Sequence, residues 1–452
     1  MIGLKTSNLF KTVWGISIFL TVILTGIATA APETAKVICR VETDREIFPA
    51  GDPQNIVMKV TLDAPAAPVH ISRPPVNISL VLDRSGSMSG TKLEQAKAAA
   101  IEALSRLGKN DVFSLVTYDD NARTIIPAQH PDDVNRIART IRQIRTGGST
   151  ALFNGVSLGA AEIRKNIEKD YVHRILLLSD GIANVGPSLP EDLGRLGAAL
   201  IKEKISVTTI GVGVDYNEDL MTRLSQKSDG NTYFVESGND LSRIFASELG
   251  DVLNVVARQV KIIITLPDDV EPMTIIGREG RINGRKIELS MNQLYGAQQK
   301  YALVEVKLPK SQPGLKMKIA DAEVQYENPF SKTRETVQGI SYVSFTSDKS
   351  LVEKSANRGV VKEYELNLKA MAQEKAIKLS DEGKPQEAAK QLKESAGKLE
   401  ALGQKYQDEE LLKEAEDTAA QAEQIEEKGM SNKDRKVLRT KSYQLKNQQK
   451  SE

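Results

Sequence analysis

The sequence predicts an α/β doubly wound domain that is inserted into an antiparallel β-sandwich and followed by an α-helical hairpin region. Three observations lead to this prediction. Between about residues 73 and 254, short apolar strands alternate with helical patterns, which favours a doubly wound parallel sheet. Short alternating runs on both sides of this region are typical of antiparallel strands. From about Leu351 onward, the strand signals end and the chain becomes rich in Ala, Lys, Glu and Gln.

Residues 1–30 have the pattern of a secretory signal peptide. Lys5 and Lys11 precede an apolar stretch over residues 13–27, and the small residues Ala28 and Ala30 indicate a cleavage site. An uncleaved anchor is the alternative, because the stretch approaches the ~20 residues that cross a bilayer. We expect an exported protein, whether periplasmic, on the cell surface or secreted, which contacts the membrane only if this segment is kept.

Composition narrows the class of partner. The 452 residues carry a formal net charge of +1, so nothing in the charge favours nucleic acid. Cys39 is the one cysteine of the sequence, and we expect an unpaired, buried strand residue rather than a redox or metal group. An exported chain without disulfides fits a bacterial route better than an animal one.

Residues 31–72 and 255–347 are predicted to form the two parts of the sandwich. Two strands, residues 36–41 and 56–62, precede the inserted domain. Because two strands do not easily build a core of their own, we assign them to the same sandwich as the later strands. Asn283-Gly284 marks a two-residue hairpin in the second part. The later strands are predicted at residues 259–266, 273–276, 286–289, 301–308, 316–325 and 337–345.

The inserted domain, residues 73–254, begins with a short β-branched strand over residues 78–82, which fits a fully buried parallel strand. A helix follows from Thr91, with apolar residues at helical spacing. A hairpin is then predicted at residues 111–118 and 122–126, helices at 132–144, 151–167, 190–203, 218–227 and 241–255, and strands at 174–178, 206–211 and 232–235.

Polar groups follow two of these strands at the point where each strand ends. Asp83, Ser85 and Ser87 form an Asp-x-Ser-x-Ser run after the first strand, and Asp180 follows strand 174–178. Open α/β sheets place ligands at the carboxyl ends of their strands, so we expect these groups to be neighbours, with Thr150 approaching from another loop. Carboxylate and hydroxyl oxygens suit Mg²⁺ or Mn²⁺ better than zinc or copper. Three neutral hydroxyls leave such a cation able to accept an Asp or Glu carboxylate from a partner protein.

At these residues the chain resembles the von Willebrand factor type A (VWA) domain, over Val76 to about Gly250. The runs Asp83-Arg84-Ser85-Gly86-Ser87-Met88, Gly147-Gly148-Ser149-Thr150-Ala151-Leu152 and Ser179-Asp180-Gly181 are similar to its metal-ion-dependent adhesion site, the MIDAS. The resemblance implies a Rossmann-like fold in which Ser85, Ser87 and Thr150 reach the metal directly. It implies that Asp83 and Asp180 bind the metal directly or through water. A vestigial domain that keeps the fold and binds no metal is the alternative.

Enzymatic activity is not expected. None of the three histidines, His70, His130 and His173, belongs to a His-Glu-x-x-His zinc motif, and for His173 we expect a capping or surface role. No Gly-x-Ser-x-Gly turn follows a strand, and no phosphate-binding loop of the Gly-x-x-x-x-Gly-Lys-Ser/Thr type is present in the sequence.

Residues 348–430 are predicted to form a helical region that resembles a tetratricopeptide-like hairpin. The first helix runs from about Leu351 to Glu382, where Gly383-Lys384-Pro385 ends it and opens the second. A third helix covers residues 409–427. Residues 431–452 are rich in Lys and Arg, and we expect a flexible, solvated basic tail.

Two function hypotheses follow. The first is an exported adhesion or interaction protein whose metal accepts a carboxylate from a protein or matrix ligand. The second is an envelope assembly or scaffold factor, in which the VWA and helical regions recruit partner subunits. Similarity to calcium-activated chloride channel and inter-alpha-inhibitor heavy-chain proteins adds a weaker third possibility, a channel regulator.

Overall fold

The computed structural model describes residues 35–69, 72–168 and 170–449. The predicted signal peptide and His70 lie outside the described residues. Within those three ranges, no helix combines the length and the apolar character needed to cross a membrane. All of the described residues fall in one unit of the chain.

Three strands precede the α/β domain: β1 (Ile38–Thr43), β2 (Ile47–Pro49) and β3 (Gln54–Asp63). Strands β1 and β3 pair antiparallel, with Ile38 opposite Asp63. Cys39 lies in β1 as a free, buried thiol, and its burial raises its pKa to about 11. The three-residue strand β2 is too short to give an alternating pattern, and the sequence did not predict it.

The α/β domain contains six strands and six helices. The strands are β4 (Val76–Asp83), β5 (Val112–Tyr118), β6 (Ala122–Gln129), β7 (Val172–Ser179), β8 (Ile205–Val212) and β9 (Thr232–Val235). The helices are α1 (Thr91–Ser105), α2 (Val134–Arg142), α3 (Leu152–Arg164), α4 (Pro190–Leu200), α5 (Glu218–Ser228) and α6 (Leu241–Val252). The predicted doubly wound α/β fold is thereby confirmed.

The sheet of this domain has the strand order β6-β5-β4-β7-β8-β9, and every neighbouring pair is parallel except β5 with β6. Every residue of β4, β7 and β8 is buried. The reason is that helices cover both faces: α1, α2 and α6 pack on one, and α3, α4 and α5 pack on the other. Strands that are buried on both faces have continuous apolar runs in the sequence, and these runs made the strands predictable.

Seven strands follow the α/β domain. They are β10 (Val255–Thr265), β11 (Glu271–Ile276), β12 (Gly280–Asn283), β13 (Lys286–Tyr295), β14 (Gln299–Leu308), β15 (Lys316–Asn328) and β16 (Thr333–Thr346). Strands from both sides of the α/β domain share two sheets, with the orders β1-β3-β14-β11 and β12-β13-β10-β15-β16-β2. One core joins the sheets, with Val60 and Leu62 of β3 in the same cluster as Ile262 and Ile264 of β10. Helix α6 ends at Val252 rather than 255, because Val255 already pairs with Tyr295.

Five helices complete the chain: α7 (Lys349–Lys354), α8 (Arg358–Asp381), α9 (Pro385–Tyr406), α10 (Glu409–Lys428) and α11 (Asn432–Lys446). The prediction of a single helix from Leu351 to Glu382 is wrong, because the helix is interrupted at residues 355–357. The Ser355 hydroxyl donates to the backbone of Ile47 at 3.1 Å, and the Asn357 side chain caps α8 by accepting from Val360 at 3.3 Å. Ser355 thereby satisfies a carbonyl of β2, and Asn357 satisfies a free N–H in the first turn of α8.

The prediction of a flexible basic tail over residues 431–452 is also wrong for most of that segment. Helix α11 packs Leu438 and Tyr443 into the protein with 1% and 2% exposure. Its cations meet acids of the α/β domain: Lys436 lies 2.9 Å from Glu218, and Arg439 lies 2.6 Å from Asp219. A segment whose composition resembles a solvated basic tail therefore forms a helix that packs on the α/β domain. The acids that it contacts lie more than two hundred residues earlier in the sequence.

Candidate metal centre

The two predicted carboxylates come from adjacent strands at one edge of the α/β sheet. Asp83 is the last residue of β4, and Asp180 follows the last residue of β7. Strands β4 and β7 are parallel neighbours, with Leu82 opposite Leu178, so both strands end together. Strand β5 lies on the other side of β4, so the chain order reverses at β4 and creates the crevice that open α/β sheets use for ligands.

Three hydroxyl groups converge beside Gly181. A methyl group added to the Cα of Gly181 would lie 3.1 Å from Thr150 Oγ1, 3.2 Å from Ser87 Oγ and 3.7 Å from Ser85 Oγ. The Ser85 and Ser87 hydroxyls are themselves 3.1 Å apart. The structure therefore brings the hydroxyls of two separate loops to a third loop, directly next to Asp180.

Asp180 and Asp83 hold different positions in this cluster. Asp180 accepts from the Ser87 hydroxyl at 2.6 Å and from the Lys92 ammonium at 2.5 Å. Asp83 accepts from the Ser85 backbone N–H at 2.8 Å and from the Ser179 hydroxyl at 2.7 Å. Asp83 thus fixes the loop that carries the serines, whereas Asp180 contacts one of the converging hydroxyls directly.

The electrostatics of the cluster favour a cation. The side chains of Asp83 and Asp180 are both fully buried. Burial raises the pKa of the Asp83 carboxyl to about 6, and the neighbouring charge of Asp180 adds to the rise, while hydrogen bonds from Ser85 and Ser179 oppose it. The ammonium of Lys92 is the positive charge that meets Asp180 in this arrangement.

Backbone hydrogen bonds tie the ligand loops together. Gly86 donates to the carbonyl of Gly148 at 2.9 Å, and Gly147 donates to the carbonyl of Arg84 at 2.6 Å. Both Gly147 and Gly148 lack room for a side chain, because a Cβ on either would overlap the carboxylate of Asp119 or Asp120. The Arg84 guanidinium pairs with Asp119 and closes this side of the site.

Three side chains that support the predicted ligands were not assigned a role from the sequence. Lys92 contacts Asp180, and Ser179 contacts Asp83, as described above. The Asn184 side-chain oxygen accepts from the Thr150 backbone N–H at 2.8 Å, and the Asn184 backbone N–H donates to the Thr150 carbonyl at 3.2 Å. Ser179 carried a usable signal, since a hydroxyl directly before Asp180 ends an otherwise apolar strand. Lys92 and Asn184 carried none, because their contacts depend on how separate loops fold.

The donor set fits a hard divalent cation. In the described parts of the chain, no group of three or more His, Cys, Asp or Glu side chains could hold a metal ion. A metal at this crevice would therefore depend on hydroxyl oxygens as well as carboxylates, and those are ligands suited to Mg²⁺ or Mn²⁺. Asp83, Ser85, Ser87, Thr150 and Asp180 would hold it.

The two described histidines lie at the other edge of the sheet. His173 is the second residue of β7, and the Nδ1 atom of His130 lies 2.8 Å from the carbonyl of Asp111, just before β5. His173 is therefore at the amino end of β7, and His130, which follows β6, lies beside the amino end of β5. Both are about 20 Å from the metal loops. The expected capping or surface role of His173 is wrong, because the side chain is 3% exposed and its Nδ1 lies 3.3 Å from the Asn77 amide. Burial lowers the pKa of His173 to about 4.

Large apolar side chains are exposed on the loops that carry the site. Ile182, next to Gly181, is 61% exposed, and Leu189 on the same loop is 62% exposed. Val214 is 38% exposed and follows Gly213, whose Cα lies beside the Lys92 side chain. Exposed apolar side chains around a polar centre are typical of a surface that contacts another protein.

Comparison with known proteins identifies the class of domain that carries this site. The family model for the von Willebrand factor type A domain matches residues 77–247, which contain all five predicted ligands. The chain therefore contains a VWA domain.

Relatives and solved structures agree with this assignment. A protein of Synechocystis, described as uncharacterized protein sll0103, is 29% identical over 276 residues, covering 58% of this chain and 64% of that protein. Inter-alpha-trypsin inhibitor heavy chain H3 of Pongo abelii is 24% identical over 241 residues, covering 50% of this chain and 27% of that protein. The matched part thus spans less than two thirds of each relative.

Among solved structures, a von Willebrand factor type A protein from Catenulispora acidiphila shares the fold with a TM-score of 0.68. It has 17% sequence identity and covers 88% of this chain and 91% of that chain. At the level of the fold, this similarity covers more of the chain than the VWA domain alone.

Proposed function

We propose that the chain is an exported protein that binds a partner protein through a divalent cation, Mg²⁺ or Mn²⁺. Asp83, Ser85, Ser87, Thr150 and Asp180 hold the cation, and it accepts an Asp or Glu carboxylate of a protein or matrix ligand. The observation that carries this proposal is the convergence of three hydroxyls from two loops beside Gly181 and Asp180.

The charge balance of the site supports a carboxylate as the incoming ligand. A divalent cation on two carboxylates and three neutral hydroxyls keeps Lewis acidity, which a further anionic oxygen satisfies. Two carboxylates cancel the charge of the cation, and Lys92 beside Asp180 adds a positive charge at the site. An acidic side chain of a partner therefore meets no excess of negative charge among the ligands.

The surroundings of the site support a protein rather than a small acid as the partner. Ile182, Leu189 and Val214 would lose exposed apolar surface on contact with a protein, whereas a free carboxylic acid could cover little of it. The VWA class is a protein-binding class, which agrees with this choice. The chain's own residues would bind and orient the partner, and we propose no catalytic step.

A pull-down from the native envelope fraction tests this function, with the chain as bait in Mg²⁺ and again in EDTA. We expect a set of partners that is retained in Mg²⁺, lost in EDTA and lost with Asp180→Ala. Asp215→Ala is the matched control, since Asp215 is exposed on the loop next to Gly213 but is not among the predicted ligands. The Asp215→Ala chain should retain the same partners in Mg²⁺ as the unaltered chain.

The charge-introducing variant Ile182→Asp tests the apolar surroundings separately. It should weaken partner binding by at least tenfold and leave Mg²⁺ binding in place. If partners survive both EDTA and Asp180→Ala, the carboxylate-bridging function is wrong. The envelope assembly or scaffold function, with recruitment by metal-independent surfaces, would then account for the binding.

A further inference from the structure

A second cavity lies far from the metal centre, where the α/β domain, the sandwich and the C-terminal segment meet. Its volume is about 720 Å³, within the usual range for small-molecule sites. The α/β domain contributes Lys202, which precedes β8, and Asp229, which precedes β9. These residues lie at the amino edge of the sheet, whereas the metal loops lie at its carboxyl edge about 25 Å away.

Cationic side chains dominate the lining. Five cations, Lys202, Lys227, Lys261, Arg278 and Arg281, face three acids, Asp229, Glu279 and Glu288. The acids already have partners, since Glu279 pairs with Lys227, Glu288 lies 3.6 Å from Lys261, and Asp229 accepts from a backbone N–H.

Three of the cations keep their charge unpaired. Among the described residues, no carboxylate oxygen lies within the 4.0 Å of an ion pair from Lys202, Arg278 or Arg281. Lys202 and Arg281 are exposed at the mouth of the cavity, and Arg278 is half-buried. Because Asp229 has only a neutral N–H as its partner, its charge still counts, and the five cations exceed the three acids of the lining by two positive charges.

The partly buried Arg278 is incompletely satisfied. Its Nη2 donates to the carbonyl of Asn447 at 3.2 Å and to the Gln448 side chain at 2.8 Å. Its Nε is buried and has no hydrogen-bond partner within the described chain. A buried guanidinium N–H without an acceptor is unfavourable, and an oxyanion is the acceptor that a guanidinium binds best.

A buried cation outside the cavity lining, Lys300, is electrostatically coupled to Arg278. Lys300 of β14 is 8% exposed, and Asp229 and Arg278 are the charges with the largest effect on it. Burial lowers the pKa of Lys300 to about 8, which means that the surrounding acids do not compensate the loss of water. Arg278 and Lys300 thus share Asp229, and the junction keeps a positive excess.

From this geometry we infer that the cavity binds a small anion with two or more negative charges on phosphate or carboxylate groups. Lys202 and Arg281 contact it at the mouth, and Arg278 contacts it deeper in. Bound there, the anion bridges the α/β domain and the sandwich. This site is independent of the proposed cation and of the partner protein.

Titration calorimetry with pyrophosphate and with citrate tests the inference, using the purified chain after its metal has been removed on a chelating resin, in buffer without a soluble chelator, so that neither a metal nor a chelator competes. We expect saturable 1:1 binding and a rise in Tm that NaCl at the same ionic strength does not produce. Pyrophosphate against citrate distinguishes a phosphate ligand from a carboxylate ligand. If neither anion binds beyond the NaCl effect, the inference is wrong.

Variants at the exposed mouth separate the site from non-specific charge effects. Lys202→Ala combined with Arg281→Ala should weaken binding at least tenfold. Because both side chains are exposed, we expect the double variant to fold, and a Tm measurement without anion checks this. Lys310→Ala is the matched control, because Lys310 is an exposed sandwich lysine outside the cavity. Equal losses in the double variant and the control would overturn the assignment of the site.

Discussion

At the scale of single residues, Lys92 is the side chain that would compete with the proposed cation. Its ammonium lies 2.5 Å from Asp180, one of the five proposed ligands. A divalent cation next to this ammonium is repelled, and the hydrogen bond to Asp180 must be given up or rearranged.

Lys92→Met should therefore raise the affinity for Mg²⁺ by about tenfold, or roughly 1.4 kcal/mol. The same variant should lower the stability of the metal-free chain, because it leaves the buried Asp180 without its cation. Calorimetric titration and denaturant unfolding in EDTA measure the two effects. Unchanged or weaker Mg²⁺ binding would show that Lys92 does not compete with the metal.

His173 gives the residue-scale pH dependence. Its folded pKa, lowered from 6.5 to about 4 chiefly by burial and next by Arg258, lies below that of the unfolded chain. The unfolded chain therefore binds more protons between these values, so stability rises with pH across this window and is lost as pH falls. The pKa of Asp83, raised to about 6, has the opposite effect, because the contribution of Asp83 to the free energy of unfolding falls as pH rises.

The variant His173→Gln separates the pH dependence of stability due to His173 from that due to Asp83. The stability of the native chain minus that of the variant should increase from pH 4 to pH 6.5, by up to roughly 3 kcal/mol. Denaturant unfolding at several pH values measures the difference. A difference that is flat across this range would contradict the assignment of a buried, neutral His173.

Among the elements, helix α11 shows what sequence patterns miss. The strands and helices of the α/β domain were predictable because burial on two faces, or on one face, leaves a periodic apolar pattern. The docking of α11 could not be predicted in this way. In the sequence its cations are indistinguishable from solvated ones, because the acids that they contact, Glu218 and Asp219, lie far away along the chain. The Tyr443 hydroxyl also donates to the Gly230 carbonyl at 2.5 Å, and the Gln444 amide donates to the Thr232 carbonyl at 3.1 Å.

The same limit applies to the metal centre. The sequence motifs identified the oxygen donors, because those residues follow strands directly. They could not identify Lys92 or Asn184, whose contacts join loops that are distant in sequence.

Arg435 is the residue that tests the docking of α11. It pairs with Glu218, with Asp219 at 2.5 Å and with Asp381 at 2.8 Å, and its side chain is 20% exposed. Arg435→Ala should cost on the order of 2 kcal/mol, less than the loss of a fully buried pair. It should also increase hydrogen exchange in β9 and at the start of α5.

Arg106→Ala is the control for this element. Arg106 forms an exposed pair with Glu102 on α1, and its loss should cost less than about 1 kcal/mol. If Arg435→Ala is equally mild and leaves exchange in β9 unchanged, α11 does not dock as described.

At the scale of the whole molecule, one buried arginine joins the VWA domain to the sandwich. Arg174 of β7 is fully buried and donates to Gln293 at 2.8 Å and to the Tyr295 hydroxyl at 2.6 Å, both in β13. Within the VWA domain it contacts Thr208 of β8 at 3.1 Å and pairs with Glu248 of α6 at 3.9 Å. A polar network across a buried junction requires both sides to be in place, so we expect the VWA domain and the sandwich to unfold together.

Arg174→Ala should destabilise the chain by about 3 to 5 kcal/mol and should split its single unfolding transition. Differential scanning calorimetry measures both. Arg164→Ala, which removes a surface pair with Glu203, is the control and should keep one transition. Two separate transitions in the unaltered chain would contradict the coupling of the two parts.

The most direct test of the central claim is calorimetric titration of Mg²⁺ and Mn²⁺ into the metal-free chain. The account predicts one site, loss of binding in Asp180→Ala and in Ser85→Ala combined with Ser87→Ala, and unchanged binding in Asp215→Ala. Absence of binding at millimolar cation, or binding that persists in Asp180→Ala, would contradict it.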